Sequence, residues 1–173
     1  PIIIVGGGMA GAALALLLAR RLPVLSIALL EQHALPVSHG DGLSVPSFDA
    51  RSTALSASTR NILADMGLWE TLTEYAQPIL QVHVSERQRP LGMLMHAEET
   101  DLPALGYVIE NRALGQVLLQ AVRQQARIAV RDNTSVNSIS MTAQQAQLTT
   151  STAQGAEKNI SARLVVVADG AQS

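Results

Sequence analysis

The chain has 173 residues, enough for one domain with a substantial core and marginal for two. Its 12 Lys and Arg residues against 14 Asp and Glu residues give a net charge of −2, which argues against nucleic acid or another polyanion as a partner. There is no Cys, which excludes disulfides, thiolate nucleophiles and cysteine-type zinc sites, and only 2% of the residues are aromatic.

The beginning of the chain predicts a strand, a helix and a second strand. Residues 2–5 (IIIV) are β-branched and predict a strand, and residues 24–30 predict another apolar strand. Residues 9–21 contain no helix breaker after Gly11 and predict a helix. The stretch 1–19 has no charged residue and is long enough to resemble a membrane span. The run of glycines inside it would weaken a spanning helix, so the βαβ unit is favoured.

A glycine-rich turn joins the first strand to the helix. Gly6, Gly8 and Gly11 form the pattern G-x-G-x-x-G, and Glu31 lies 20 residues beyond the last of them. The pattern predicts that Gly6 makes the tight turn, Gly8 lets a pyrophosphate approach the backbone, and Gly11 lets the helix pack closely on the strand. Phosphates are expected at the helix N-terminus, and ribose hydroxyls at Glu31. A carboxylate there favours a free 2′-hydroxyl, so FAD or NAD fits better than NADP.

The middle of the chain predicts a loop, helices and a pair of strands. Residues 32–49 are rich in His, Pro, Ser and Gly and predict a long irregular loop. Residues 50–76 predict a helical segment that Gly67 divides into two. Residues 81–85 and 91–96 predict two strands joined by a turn.

The second half of the chain predicts a return to the first sheet. Its segments are a strand at 106–110, a helix from 111, a parallel strand at 128–130 and a polar β-meander over 133–162. The last apolar segment, 163–168, predicts a strand buried on both faces of the parallel sheet. It delivers Asp169 and Gly170 at its carboxyl end, where ligands gather in open α/β sheets. The sequence shows no internal repeat and no linker that separates two autonomous domains.

Four segments together resemble one enzyme family. They are GGGMAG at 6–11, DARSTAL at 49–55, GYVIENRALGQVL at 106–118 and LVVVADGAQS at 164–173. In this order they resemble the FAD-dependent aromatic hydroxylases of the para-hydroxybenzoate hydroxylase type, and within them the hydroxylases of ubiquinone biosynthesis. The family is more than twice as long, so residues 1–173 are expected to be the N-terminal part of a longer enzyme and to be inactive alone.

The resemblance implies an α/β fold, namely an FAD/NAD(P)-binding Rossmann-like domain with a central parallel sheet and a β-meander. Part of a substrate-domain β-sheet is inserted into it, and residues 79–108 are expected to contribute strands to that sheet. The cofactor-binding residues that the resemblance implies are Gly6, Gly8, Gly11, Glu31, Arg51, Arg112, Asp169 and Gly170.

Each of these roles has a simpler alternative. The resemblance places Arg51 on the flavin side of FAD, Arg112 on its ribityl chain, and the Asp169-Gly170 pair in both FAD and NAD(P)H binding. Taken singly, either arginine is as typical of a solvated helix start, and Asp-Gly is a common turn dipeptide. A glycine turn can also belong to a βαβ unit that binds nothing.

The activity that the resemblance implies is FAD- and NAD(P)H-dependent hydroxylation of the aromatic ring of a polyprenylphenol, with O₂ as co-substrate. The cofactor supplies the reactive chemistry, so no catalytic side chain is predicted. The four histidines show no metal-ligand spacing, and no metal site is predicted; they are His33, His39, His83 and His96. Alternatives are a reductase, oxidase or halogenase on the same scaffold, and a non-catalytic dinucleotide-binding module. A cytoplasmic location is expected, with association with the inner membrane, with a biosynthetic complex or with a second copy left open.

Overall fold

The structure is a computed structural model that describes residues 1–35, 48–85 and 92–170. In chain order its helices and strands are β1 (Ile2–Val5), α1 (Met9–Arg21), β2 (Ile27–Leu30), β3 (Ser52–Ser56), α2 (Ala57–Asp65), α3 (Trp69–Leu72), β4 (Gln77–Ile79), β5 (Gln81–Ser85), β6 (Gly92–His96), β7 (Gly106–Glu110), α4 (Asn111–Gln124), β8 (Ile128–Arg131), β9 (Thr134–Met141), β10 (Ala146–Thr152), β11 (Glu157–Ala162) and β12 (Leu164–Val167).

The chain divides into two compact units. The first is formed by Pro1–Asp49 and Leu114–Ser173, and the second by Ala50–Ala113. The glycine-rich turn and the Asp-Gly segment belong to the first unit, whereas Arg51 and Arg112 belong to the second, and α4 begins in the second unit and continues in the first. Neither the predicted extent of the FAD-binding domain nor the substrate-sheet role of residues 79–108 follows from this division, and both stay predictions.

A parallel sheet in the order β12-β1-β2-β8 forms the centre of the first unit. The predicted first strand and the returning strand near residue 128 are confirmed, since β8 pairs in parallel with β2. The predicted second strand is shorter than expected, because a turn closed by a hydrogen bond from Leu25 N–H to the Leu22 carbonyl precedes it. β1 is a central strand whose Ile3 and Ile4 are both buried, as expected for a strand covered on both faces.

The predicted β-meander is confirmed and covers one face of this sheet. Strands β9, β10 and β11 form an antiparallel sheet with β10 in the middle. Leu148 of β10 and Ala162 of β11 pack with Ile3 and Leu30 of the parallel sheet in one apolar cluster. On α1, Ala12, Ala15 and Ala19 are fully buried, so small side chains let this helix approach the sheet closely.

The expectation that residues 163–168 form a strand buried on both faces is wrong in the part of the chain that the structure describes. β12 lies at the edge of the sheet and pairs with β1. Its Leu164 and Val167 are 50% and 54% exposed. Apolar sequence alone does not distinguish an edge strand from a central one, because both carry the same β-branched residues.

The helix predicted over residues 50–76 begins seven residues later than expected. Residues 52–56 instead form β3, which pairs with β7 in an antiparallel register that sets Ser52 opposite Glu110. The helix α2 then starts after Ser56, whose hydroxyl oxygen accepts a hydrogen bond from Thr59 N–H at 3.1 Å. The break at Gly67 is confirmed, and this residue has a φ of +76°.

The second unit contains two small antiparallel sheets, one in the order β3-β7-β4 and the other formed by β5 and β6. The predicted strand pair is therefore confirmed, and its turn lies outside the described residues. The helix predicted from residue 111 is also confirmed as α4. Most of the loop predicted over 32–49 likewise lies outside the described residues. No helix within the described ranges is both long and apolar enough to cross a membrane.

Candidate functional site

The glycine turn of the first unit packs directly on the Asp-Gly segment at the other end of the chain. Gly6 has a φ of +104°, a conformation that residues with side chains rarely adopt. A Cβ on Gly6 would collide with the Ala168 carbonyl group and lie 2.7 Å from Asp169 Cα. Hydrogen bonds from Gly6 N–H to Leu30 and from Ala168 N–H to Val5 hold these backbones in place. The structure thus brings together two of the segments that the sequence singled out.

The same turn leads directly into the start of α1. Gly11 packs so closely that a Cβ there would collide with the Gly6 carbonyl oxygen and lie 3.4 Å from an Ile4 methyl group. Gly8 precedes the helix with φ −68° and ψ −172°, and no side chain of the described residues caps the helix there. The first N–H groups of a helix carry a positive partial charge, and a phosphate group is a suitable partner for them. This arrangement fits the pyrophosphate of a dinucleotide.

Glu31 directly follows β2 and is only 7% exposed. Its Oε2 accepts a hydrogen bond from Gly7 N–H at 2.7 Å. Its Oε1 accepts one from His33 N–H at 2.9 Å and lies 3.0 Å from His33 Nδ1. A carboxylate offers about four acceptor positions, so Glu31 can brace the glycine turn and still bind ribose hydroxyls.

Gly7 is a site residue that the G-x-G-x-x-G pattern does not identify. A Cβ on this residue would lie 3.0 Å from Glu31 Cβ and 3.3 Å from its Oε2. The sequence did contain a signal, since residues 6–8 are three consecutive glycines where the pattern needs only two. A small residue at this position lets the Glu31 carboxylate reach the backbone of the turn.

The Asp-Gly pair lies at the carboxyl end of β12, as predicted. Asp169 and Gly170 are both exposed, and Gly170 has a φ of +88°. The exposed Asp169 side chain is beside the glycine turn and is accessible to a ligand bound there. Its role in binding a cofactor stays a prediction.

The second unit brings the two predicted arginines together. Arg51 immediately precedes β3, and Arg112 is the second residue of α4. The N–H group of Asn111 donates a hydrogen bond to the Arg51 carbonyl oxygen at 2.8 Å, so the two segments are adjacent. Both arginines are exposed. The roles of the two arginines in binding a cofactor stay predictions.

The histidines show no metal centre in the part of the chain that the structure describes. His33 lies beside Glu31, while His83 and His96 belong to the strand pair β5 and β6. No group of three or more potential metal ligands converges within the described ranges. His39 lies outside them.

The first unit has the features of an α/β domain of the dinucleotide-binding class. These features are a parallel βαβ sheet, a tightly packed glycine turn, a helix start without a side-chain cap, and a buried carboxylate after the second strand. The family described as FAD binding domain matches residues 1–173. The chain therefore belongs to this FAD-binding family, and the glycine turn and Glu31 fit the ADP half of FAD.

Curated relatives of the chain include named ubiquinone hydroxylases. The chain is 28% identical to ubiquinone hydroxylase UbiL of Rhodospirillum rubrum, over 99% of this chain and 37% of the relative. It is 32% identical to the 3-demethoxyubiquinol 3-hydroxylase of Escherichia coli, over 99% of this chain and 41% of the relative. The chain thus spans about two fifths of the length of the curated relatives it matches.

Solved structures with the same fold include flavin-dependent monooxygenases. The p-nitrophenol 4-monooxygenase PnpA from Pseudomonas putida superposes with a TM-score of 0.76 at 21% identity, over 99% of this chain and 41% of that one. The flavin-dependent monooxygenase PieE, solved with FAD and substrate, gives a TM-score of 0.76 at 20% identity, over 100% of this chain and 30% of that one. At these identities the likeness establishes the fold.

Proposed function

We propose that the chain is the FAD-binding part of an FAD- and NAD(P)H-dependent monooxygenase that hydroxylates the aromatic ring of a polyprenylphenol in ubiquinone biosynthesis. The observation that carries the cofactor half of this proposal is the close packing of Gly6 on Ala168 and Asp169. This packing supports one cofactor site that is built from the glycine turn and the Asp169-Gly170 segment.

In this proposal the first unit binds the ADP half of FAD. The N–H groups at the start of α1 bind the pyrophosphate, and Gly8 keeps the space above them free of a side chain. Glu31 accepts hydrogen bonds from the adenosine ribose, and its bonds with Gly7 and His33 orient the carboxylate in advance. Asp169 and Gly170 form the neighbouring wall, where NAD(P)H also approaches.

The second unit supplies the positively charged groups for the flavin half. A guanidinium group offers several N–H donors in a planar array, which suits phosphate oxygens and the hydroxyls of a ribityl chain. Arg51 and Arg112 are adjacent through the Asn111 to Arg51 backbone bond, so one ligand can engage both. When bound, FAD supplies the oxidation chemistry, and the protein positions it, excludes water and provides electrostatic support.

The substrate class is supported by the relatives' names rather than by a pocket. The R. rubrum and E. coli relatives are both named as hydroxylases of ubiquinone-type molecules. The sequence segments also resemble 2-octaprenyl-6-methoxyphenol hydroxylase, whose name describes a polyprenylated phenol as substrate, and the two names do not describe the same substrate. The proposal is therefore limited to a polyprenylated phenol, with O₂ as co-substrate and a cytoplasmic location.

Two measurements on the full-length protein test the proposal. Purified protein should be yellow, with a flavin absorbance band at about 450 nm. It should also oxidise NADH or NADPH faster when a polyprenylphenol is added. A colourless protein that binds NAD alone would instead support a non-catalytic dinucleotide-binding module. A yellow protein that never forms a hydroxylated ring would support a reductase or oxidase on the same scaffold.

The ring position requires a test in cells. Strains that are each blocked at one hydroxylation step of ubiquinone synthesis should be supplied with the full-length gene. Restored ubiquinone in one strain identifies the ring carbon, and failure in every strain contradicts the proposed substrate class.

A further inference from the structure

The two arginine-bearing segments of the second unit are joined by a pair of side chains. Thr53 lies in β3, two residues after Arg51. Asn111 is the first residue of α4 and immediately precedes Arg112. The Thr53 hydroxyl donates a hydrogen bond to Asn111 Oδ1 at 2.5 Å, although the two residues are 58 positions apart.

Asn111 makes this connection from a buried position. It is 4% exposed, so its polar groups need partners within the protein. Its side chain accepts the bond from Thr53, and its N–H group donates to the Arg51 carbonyl oxygen at 2.8 Å. One residue thereby holds the start of α4 on Arg51, which precedes β3, and on Thr53 within β3.

The consequence concerns the spacing of the two guanidinium groups. Arginine side chains are long and lose rotamer entropy when they bind a ligand, so fixing their backbones in advance lowers the cost of binding. Arg51 and Arg112 each lie one or two residues from the hydrogen bond between Thr53 and Asn111. Loss of this bond would leave the backbone bond from Asn111 to Arg51 in place, but it would remove the side-chain contact that holds the start of α4 on β3, without removing either positive charge.

We propose that Thr53 and Asn111 are positioning residues for the flavin half of FAD, because their hydrogen bond sets Arg51 and Arg112 at the spacing at which both engage one cofactor molecule. This inference rests on the proposed function, which assigns both arginines to FAD. Neither Thr53 nor Asn111 contacts the cofactor in this role. The two residues act through the arginines.

The test uses full-length apoprotein titrated with FAD, with quenching of flavin fluorescence as the readout. The T53V variant keeps the shape of the side chain and removes its hydroxyl, and we expect FAD affinity to fall by about five- to tenfold. The T53S variant restores the donor and should bind FAD like the wild type. ADP affinity should be unchanged in all variants, because the ADP half is bound by the first unit.

A matched control is available in the β-meander. Thr149 donates a hydrogen bond to Asn159 Oδ1 at 3.1 Å, the same pair of groups in a different element. The T149V variant should therefore bind FAD like the wild type. Thermal unfolding of each apoprotein shows which variants are folded, and T53A, which also lacks the hydroxyl, replaces T53V if T53V does not fold.

A second arm separates positioning from a general structural role. The R51A/R112A double variant lacks both guanidinium groups that Thr53 is proposed to position. Adding T53V to it should therefore cause no further loss of FAD affinity. An equal loss in both backgrounds, or wild-type affinity for T53V alone, would overturn the inference. If R51A/R112A itself binds FAD like the wild type, the proposed role of the arginines fails, and that result is distinguishable from a failure of Thr53 alone.

Discussion

The sites proposed in the two units are built in different ways. The first builds its site from the backbone: Gly6 and Gly11 have no side chain, so that a turn, a helix start and the Asp169 segment lie in close contact. The second builds its site from side chains, since Thr53 and Asn111 join the two arginine-bearing segments. A backbone site fails when a side chain is added, and a side-chain site fails when one is removed. The expected effects of substitution are therefore opposite in kind.

The largest effect is expected for G6V. The positive φ and the contact with Ala168 leave no room for a side chain, so the turn must move away from β12. We expect loss of FAD binding. We also expect the free energy of unfolding to fall by roughly several kcal/mol, which lowers the melting temperature clearly. Flavin content and thermal unfolding of the full-length protein measure both. Wild-type values for the two would show that the turn is not built as described.

The G8V variant should separate cofactor binding from folding. Gly8 has an extended conformation that other residues adopt readily, so a side chain there should cause no backbone strain, and we expect the fold to stay largely intact. The pyrophosphate should not, and FAD affinity should fall by more than about 100-fold while the apoprotein melts near the wild-type temperature. Unchanged flavin content after purification would contradict the predicted site.

An intermediate effect is expected for R51A in the second unit. Removing one guanidinium group should weaken FAD binding by about tenfold and slow reduction of the flavin by NAD(P)H, because a charge-assisted contact is lost. Stopped-flow absorbance measures the reduction rate. R51K serves as the comparison, since lysine keeps the charge but loses the planar donor array. Wild-type kinetics for R51A would count against the assigned role.

The smallest effect is expected for G7A. The added methyl group would lie 3.0 Å from Glu31 Cβ, a distance that a modest shift of the Glu31 side chain can relieve. The shift weakens the bond from Gly7 N–H to the carboxylate, and FAD affinity should fall by only about two- to fivefold. If ADP and FAD weaken equally, the effect belongs to the ADP half. A larger loss of affinity for FAD than for ADP would show that the substitution acts outside the ADP-binding part of the site.

The sequence was most informative where one local pattern determines the structure. The glycine spacing predicted the strand, turn and helix at the start of the chain, and the weak alternation over 133–162 predicted the β-meander. Its failures involve distant partners. β3 lies inside the predicted helix, because its pairing with β7 joins residues 50 to 58 positions apart, which no local pattern signals. The bond from Gly7 to Glu31 spans 24 positions, and no periodicity within either segment signals it.

The exposed β12 strand has a consequence for handling the protein. Its Leu164 and Val167 are half exposed, and within the described residues its outer edge is not paired with another strand. An open edge with apolar side chains is a template on which another polypeptide strand can add. A polypeptide of residues 1–173 alone is therefore expected to precipitate or form irregular assemblies as its concentration rises, and charged substitutions along β12 offer a direct way to keep it dispersed.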